Sequence, residues 1–169
     1  MSKGLIRAEQ TSDIDAIRRV VTAAFAGVVQ SNQKESLLVD QLREHGALIV
    51  SLVAHIKGHV VGHIAFSPVT VDGILCDWFG LGPLAVLPVY QRRGFGSRLV
   101  DAGLRSLRAI GAKGCVVLGE PDYYGRFSFA ARDELILENV PAPFFLAQSF
   151  IGEYPCGKVL YHRAFELCA

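Results

Sequence analysis

The sequence has almost no excess charge of either sign. Its 17 Lys and Arg residues nearly balance 16 Asp and Glu residues, which leaves a formal net charge of +1. This balance gives no reason to expect nucleic acid or a membrane surface as a partner. His, Lys and Gly also interrupt every apolar run well before the roughly 20 residues of a membrane helix. The first residues do not resemble a signal peptide, so we expect a cytoplasmic protein.

Paired cysteine spacing is absent as well. Cys76, Cys115, Cys156 and Cys168 are far apart and form no C-x-x-C pair. We therefore expect no zinc or other metal site, and we expect free thiols, as is usual for cytoplasmic proteins. Repeats, low-complexity tracts and linkers are also missing. A chain of 169 residues without a linker is expected to fold as one domain over residues 1–169.

Hydrophobic residues make up 51% of the chain, more than is usual for a globular protein, which favours a well-buried sheet. Periodicity and turn signals predict the order of elements. The predicted strands are 4–8, 48–56, 59–71, one ending at Val86, 115–118 and 159–166. The predicted helices are one through Ile14–Phe25, one over 34–44 and one running to Ile110, with a short helix or turn over 123–129.

Residues 84–97, Leu-Ala-Val-Leu-Pro-Val-Tyr-Gln-Arg-Arg-Gly-Phe-Gly-Ser, are the most informative part of the chain. An apolar strand ends at Pro88, a turn with two Arg and two Gly follows, and helical periodicity begins after it. The first amides of a helix have no internal partner, and the helix dipole adds partial positive charge. Such a turn can hold a pyrophosphate, with Arg92, Arg93 and Arg98 adding positive charge.

Three phosphate-binding patterns compete for this turn. A P-loop requires Gly-Lys-Ser/Thr, which does not occur here. The Rossmann fingerprint G-x-G-x-x-G fails because Leu99 stands where the third Gly is needed. Gln-x-x-Gly-x-Gly fits at Gln91, Gly94 and Gly96. By itself this short pattern also suits an ordinary Gly-rich turn between a strand and a helix.

This pattern resembles the acetyl-coenzyme A (acetyl-CoA) signature of the GNAT superfamily of N-acetyltransferases. A second segment, Val116–Phe129, resembles the strand and short helix that follow in that family, with Tyr124, Ser128 and Phe129 at the family's spacing. Ser128 replaces the usual Gly. Tyr123-Tyr124, the preceding Gly-acid-Pro and segments at 52–54, 61–69 and 157–165 are similar to the branch often labelled YhbS-like. The resemblance spans nearly the whole chain in the expected order.

The resemblance implies an α/β (mixed α+β) GNAT fold. Its central sheet is mixed and mostly antiparallel, with six to seven strands, splayed fourth and fifth strands, and helices on its flanks. It also implies acetyl-CoA as cosubstrate, with the pyrophosphate on the turn at 91–97, the pantetheine arm along the end of the fourth strand, and an acetyl end near the short helix. The residues assigned to this site are Leu84, Ala85, Val86, Gln91, Arg92, Arg93, Gly94, Phe95, Gly96, Ser97, Tyr124 and Phe127.

Two residues are assigned catalytic roles. Tyr124 matches the family's acid, and a phenol is protonated at neutral pH, so it can protonate the leaving thiolate. Glu120 follows the buried strand and can accept the amine's proton through water; Asp77 and Asp122 are weaker candidates, and the amine can also arrive neutral. Ser128 must either avoid a positive φ or introduce strain, because it stands where the family has Gly.

The function implied is acetyl transfer from acetyl-CoA to a primary amine by direct attack in a ternary complex. The alternative is a non-catalytic acyl-CoA binding or regulatory module of the same fold, since the family's Asn before the Tyr is missing. The acceptor is a small molecule or a peptide amine. It would be selected by loops near 28–36 and 139–158, and either acceptor lining or core packing suits Trp78. A homodimer is compatible with this assignment.

Overall fold

A computed structural model describes residues 3–169. It contains nine strands: β1 (Leu5–Ala8), β2 (Val50–Ile56), β3 (His59–Val71), β4 (Ile74–Val86), β5 (Gly114–Leu118), β6 (Ala130–Ala131), β7 (Leu135–Ile136), β8 (Phe145–Ser149) and β9 (Gly157–Leu160). It contains five α-helices: α1 (Ile14–Phe25), α2 (Glu35–Glu44), α3 (Phe95–Ala109), α4 (Pro121–Tyr124) and α5 (Ala164–Leu167). Short 3-10 turns cover Thr11–Asp13, Pro88–Tyr90, Gly125–Phe127 and Ala142–Phe144.

The strands follow the order β1-β2-β3-β4-β5-β8-β6. Every neighbouring pair along this path is antiparallel except β4 and β5, which are parallel. β9 adds to the end of β3 beyond the part that pairs with β2, and β7 pairs with β9. The expected mixed, mostly antiparallel sheet is confirmed, and its main path has seven strands.

The predicted final strand exists, but its predicted extent over 159–166 is wrong. β9 ends at Leu160, and the chain then forms α5. Nδ1 of His162 accepts a hydrogen bond from the amide of Ala164, which satisfies one of the free donors at the start of this helix. Ala164 is fully buried in a cluster with Leu42 of α2. Capping and packing against α2 therefore override the partial alternation of apolar residues.

The sheet separates between β4 and β5. Their parallel pairing runs from Trp78 opposite Gly114 to Leu81 opposite Val117. β4 continues for five more residues, while β5 turns away after Leu118. The last residues of β4 therefore have a free backbone edge on the side of β5, as the splayed strands of the expected fold require.

Helices cover both faces of the sheet. α3 packs on one face against Ile64 and Phe66 of β3. Gly103 of α3 lies so close to the ring of Phe66 that a side chain there would collide with it. α1 packs on the other face, where Val21 is buried against Val53 and Ala85. The long interior strands are thus buried on both sides, which accounts for the high apolar content.

Residues 3–169 have neither a membrane-spanning helix nor a cluster of metal-binding side chains. None of the helices there is both long and apolar enough to cross a membrane. No group of three or more His, Cys, Asp and Glu side chains within the same residues could hold a metal ion. All four cysteines lie in this range, and each is a free thiol.

His63 is a fully buried titratable residue in the centre of β3. Its Nε2 lies 2.7 Å from the hydroxyl of Ser51, which hydrogen bonds to it. Burial, and to a smaller extent the positive charge of Arg43, lowers the pKa of this imidazole to about 3. His63 is therefore neutral in the folded protein over the physiological pH range.

The burial of His63 predicts that the free energy of unfolding decreases in mild acid. The unfolded chain binds a proton at His63 near pH 6.5, whereas the folded chain does not. The contribution of neutral His63 to the free energy of unfolding is therefore fully present above pH 6.5 and is lost progressively as the pH falls towards 3. From pH 7 to pH 5 the loss is about 2 kcal/mol. Urea unfolding at both pH values measures it. His63→Gln should remove this loss and the exposed control His59→Gln should keep it; an unchanged loss in His63→Gln would contradict the assignment.

Candidate active site

The turn between β4 and α3 has the geometry that its sequence predicts. Arg92 and Gly94 both adopt positive φ angles, of 60° and 85°, and α3 begins directly after Gly94. The side-chain amide of Gln91 donates a hydrogen bond of 3.0 Å to the carbonyl of Val86. Gln91 thus ties the turn back to the end of β4 and fixes the direction in which α3 leaves the sheet.

This turn exposes a row of free amide groups. The first hydrogen bond of α3 runs from the amide of Arg98 to the carbonyl of Gly94, at 3.1 Å. Across the described part of the chain, the amides of residues 92–97 find no hydrogen-bond partner. They converge at the positive end of a 15-residue helix. The arrangement suits a phosphate group or another anion.

A cavity of about 510 Å³ lies over these amides. It extends from the free edge of β4 to the start of α3 and is closed on one side by α4 and the turn after it. The predicted site residues in its lining are Leu84, Val86, Gln91, Arg92, Gly94, Gly96 and Ser97. The structure thus brings the polar turn and the strand edge together in a single cleft.

Other predicted residues lie behind this lining. Ala85 is 2% exposed and faces α1, as its alternation with Leu84 and Val86 requires. Phe95 is 6% exposed and packs in the core, with its ring edge-on to Tyr90. The side chains of these two residues do not line the cleft, so any contact with a ligand there would be through their main-chain atoms.

The three arginines of this region have different surroundings. Arg92 lines the cleft, whereas Arg93 stacks on the ring of Tyr90 at 5.3 Å and lines a neighbouring cavity. Arg98 donates hydrogen bonds to the carbonyls of Lys3 and Gly4, so it holds the first strand against α3. The prediction that Arg98 serves a phosphate ligand is therefore replaced by a structural role.

Sequence reasoning missed three residues that line the cleft, namely Tyr90, Tyr123 and Arg126. The guanidinium of Arg126 stacks on the ring of Tyr123 at 4.6 Å and donates to the hydroxyl of Ser97 at 3.4 Å. Arg126 thus adds a positive charge opposite the start of α3. Nothing in the spacing of the chain signals this approach, because α4 meets α3 only through the tertiary fold.

The backbone of Gly96 lies close to the hydroxyl of Tyr123 across the cleft. A Cβ atom at this position would lie 2.9 Å from the hydroxyl of Tyr123. The backbone of Gly96 is helical, so a substitution would not strain it, and the phenol end of Tyr123 can shift. A side chain here would fill the cleft without preventing folding.

Tyr124 and Phe127 do not line this cavity and instead pack against the core cluster that includes α3. The ring of Tyr124 packs edge-on against Tyr123 and Phe129, with Phe127 nearby. It also covers Gly119, where a side chain would collide with the ring. Burial raises the pKa of the Tyr124 phenol, with smaller contributions from Tyr123 and Cys115. Tyr124 is therefore a protonated phenol at neutral pH.

The candidate bases occupy different positions. Glu120 is exposed and precedes α4, and its carbonyl accepts the amide of Tyr124 at 3.0 Å. Asp122 is also exposed. Asp77 lies on β4 with its carboxylate 4.0 Å from the ammonium of Lys113. Trp78 is 2% exposed and packs in the core against Tyr154, which settles its role as a core residue.

The turn after Tyr124 contains a strained residue. Ser128 ends the 3-10 turn Gly125–Phe127 with φ 69° and ψ 22°, in the left-handed region. Of the two expected outcomes for Ser128, the structure has the second: the residue adopts a positive φ and introduces strain. Phe129 follows directly, and its buried ring supports Tyr124. The geometry typical of glycine is thus retained here by serine.

A sheet split between parallel strands, free helix-terminal amides beside the split and a buried phenol across it define an acyltransferase of the GNAT fold. The profile of the acetyltransferase (GNAT) family matches residues 14–129. The chain is 40% identical to the uncharacterized N-acetyltransferase YhbS of Escherichia coli strain K12 over 126 residues, which is 74% of this chain and 72% of YhbS. The chain belongs to the GNAT family of acetyltransferases.

Two solved structures extend the similarity to nearly the whole chain. A GNAT family acetyltransferase from Brucella melitensis in complex with acetyl-CoA is 46% identical, with a TM-score of 0.87 over 95% of this chain and 97% of that chain. Escherichia coli YhbS in complex with CoA is 34% identical, with a TM-score of 0.88 over 96% of this chain and 92% of that chain.

Removing the strain at Ser128 should stabilise the protein. Glycine adopts a positive φ without the steric conflict of a Cβ atom, so Ser128→Gly should raise the free energy of unfolding by about 1 kcal/mol. Urea denaturation measures the change. Ser128→Ala keeps the strain and serves as the control. If Ser128→Gly is no more stable than Ser128→Ala, the left-handed geometry assigned to residue 128 is wrong.

Proposed function

We propose that this protein transfers the acetyl group of acetyl-CoA to a primary amine by direct attack, with both substrates bound at once. The observation that carries the proposal is the continuity of the cleft. The free amides at the start of α3 line the cleft, the free edge of β4 follows, and the ring of Tyr124 packs edge-on against Tyr123 in the cleft wall. A long molecule with an anionic pyrophosphate, an amide-containing arm and a thioester matches these groups in that order.

The residues present fit this cosubstrate. The amides of 92–97, together with Arg92 and Arg126, would hold the pyrophosphate. The unpaired edge of β4 at Leu84 and Val86 would pair with the amides of the pantetheine arm, as a neighbouring strand would. Ala85 and Phe95 would contribute backbone groups only, and Phe127 would pack behind Tyr124 near the acetyl end.

Tyr124 would act on the leaving group. As the amine attacks, a bond from nitrogen to the carbonyl carbon forms, the bond from carbon to sulfur breaks, and negative charge develops on sulfur. The buried, protonated phenol of Tyr124 can donate its proton to this sulfur. Most of the remaining rate enhancement would come from holding the two substrates in one cleft.

Glu120 is our proposed proton acceptor for the amine. Its exposed carboxylate lies in the same turn as Tyr124, so it can receive a proton only through water. The acceptor is proposed to be a small-molecule or peptide amine, and the site of the reaction the cytoplasm, where the four free thiols would stay reduced. Amine candidates can be screened by the release of free thiol from acetyl-CoA.

A negative charge in the amide cradle should abolish tight binding. Gly96→Asp places a carboxylate where the pyrophosphate is expected, and Tyr123 can move aside to admit it. Because like charges would meet at the start of α3, we expect acetyl-CoA affinity to fall by at least about 100-fold. Isothermal titration calorimetry on the folded variant measures this change.

Gly27→Asp is the matched control for that variant. It introduces the same charge at a glycine whose Cβ would meet nothing within 4 Å. Its affinity for acetyl-CoA should equal that of the parent. If folded Gly96→Asp binds as tightly as Gly27→Asp, the pyrophosphate is not held at the start of α3.

Loss of the Tyr124 hydroxyl should reduce turnover and leave binding intact. Tyr124→Phe keeps the ring over Gly119 and removes only the proton donor. General acid catalysis contributes about 10²-fold or more, so kcat should fall by about that factor while the affinity for acetyl-CoA hardly changes. Steady-state kinetics with an amine found in the thiol-release screen, combined with calorimetry, separates the two quantities.

Tyr154→Phe is the control, because Tyr154 packs on Trp78 away from the cleft. It should leave the affinity for acetyl-CoA unchanged. Equal kcat in Tyr124→Phe and the parent would exclude the phenol as the acid. Binding of acetyl-CoA without transfer to any amine in the screen would favour the alternative of an acyl-CoA binding module.

A further inference from the structure

A second cavity, of about 680 Å³, lies next to the turn that precedes α3. Its lining contains four cationic residues, namely Lys3, Lys57, Arg93 and Arg98. No acidic residue lines it, and within residues 3–169 none of these four side chains forms an ion pair. The second cavity therefore carries positive charge that no neighbouring carboxylate neutralises.

The first turn of α3 separates the second cavity from the cleft. Phe95 and Arg98 line the second cavity, whereas Gly96 and Ser97 line the cleft. At about 3.6 residues per turn, these two pairs of residues lie on opposite sides of the helix. Tyr90 lines both cavities. A ligand in the second cavity can thus be bound at the same time as a ligand in the cleft.

Two of the cationic groups are held in position by aromatic rings. The guanidinium of Arg93 stacks on Tyr90 at 5.3 Å, and that of Arg98 lies 5.8 Å from the centre of the Phe95 ring. Arg98 also donates hydrogen bonds to two backbone carbonyls before β1. Rings and carbonyls fix the guanidinium groups but do not neutralise them. A planar guanidinium that is already held in place suits the oxygens of a phosphate group.

The rest of the lining is apolar. It consists of Ile56 at the end of β2 and the rings of Tyr90 and Phe95. A cavity of several hundred Å³ with apolar walls and a few charged groups is typical of sites for small organic ligands. An inorganic anion would use the charges alone. The apolar walls therefore indicate a ligand that has a planar or apolar part as well as a phosphate.

We propose that the second cavity binds a nucleoside phosphate separately from acetyl-CoA. The phosphate groups contact Lys57, Arg93 and Arg98. The base lies against Ile56 and Tyr90. This inference goes beyond the proposed acetyl transfer, because it assigns a second ligand and requires no reaction. Since both ligands bring negative charge to opposite sides of one helical turn, each lowers the affinity for the other by the same factor.

Isothermal titration calorimetry with ADP tests for the second ligand. ADP is titrated into the full-length protein at several fixed concentrations of acetyl-CoA. We expect the apparent Kd of ADP to rise only to a plateau as acetyl-CoA increases, because the two affinities are coupled without being exclusive. An apparent Kd that rises in proportion to acetyl-CoA would place ADP in the cleft and overturn the proposal, as would the absence of ADP binding.

Fragments of ADP test the kind of ligand at saturating acetyl-CoA. Adenosine should bind at least about 100-fold more weakly than ADP, because it cannot form the charge-assisted hydrogen bonds of the phosphates. Inorganic pyrophosphate should bind about tenfold more weakly, because it has no base to bury. Pyrophosphate that binds as tightly as ADP would overturn the assignment to a nucleoside phosphate.

Lys57→Glu tests the location. Lys57 is exposed in the turn between β2 and β3, so the variant should fold as the parent does. We expect its affinity for ADP at saturating acetyl-CoA to fall at least about tenfold. Arg105→Glu is the matched control, because it makes the same change in net charge at an exposed residue of α3 that lines neither cavity. Equal ADP affinities in the two variants would contradict the location.

The same pair of variants separates a second ligand from a second contact with acetyl-CoA itself. The affinity of Lys57→Glu for acetyl-CoA should lie within about twofold of that of Arg105→Glu. A selective loss of CoA affinity in Lys57→Glu, which disappears with 3′-dephospho-CoA, would assign the second cavity to the 3′-phosphate of the cosubstrate. That result would overturn the separate site and leave the proposed acetyl transfer intact.

Discussion

The interaction on which the rest of this structure depends is the short parallel pairing of β4 with β5. It spans four residue pairs and stops at Leu81 and Val117. If the pairing with β5 continued along β4, the last residues of β4 would have a neighbouring strand on both sides and no free edge. Because it stops, β4 keeps a free edge that leads directly into the turn at residues 91–97 and the start of α3. Strand edge and helix terminus together form one cleft.

Close contacts between aromatic rings and glycines determine what surrounds that split. Tyr124 covers Gly119 just after β5, Tyr161 covers Gly80 in β4, and Phe66 lies against Gly103 of α3. In each case the missing side chain allows a ring to reach the backbone of a neighbouring element. Rings held in this way have little freedom, so the phenol of Tyr124 is fixed with respect to β5. Such rigidity favours a reaction that depends on the alignment of two substrates.

The two ends of the cleft have opposite electrostatic character. At the start of α3, free amides and the guanidinium groups of Arg92 and Arg126 meet solvent and suit an anion. Behind the cleft wall, the phenol of Tyr124 is surrounded by apolar groups, and burial raises its pKa. Charge that develops there is poorly screened by water, so a hydroxyl donor has a larger effect than it would at the surface.

Local sequence was sufficient for much of the fold. The β2–β3 and β3–β4 hairpins, α3 and the phosphate-type turn were all predictable, because alternation, turn glycines and helix signals act over a few residues. The same reasoning failed for residues 161–167, where a cap from His162 and packing on α2 produce a helix instead of a strand. Ser128 shows the converse, since its unfavourable φ is maintained by the surrounding packing.

The residues of the candidate site also differ in whether the sequence alone reveals them. Gln91, Gly94 and Gly96 could be recognised from sequence because their roles depend on the backbone of a single turn. Tyr123 and Arg126 beside α3 could not. Those contacts join residues that lie far apart in the chain. Sequence by itself determined the turn and the fold class, whereas tertiary structure decided which side chains face the split, because only packing brings distant elements within reach.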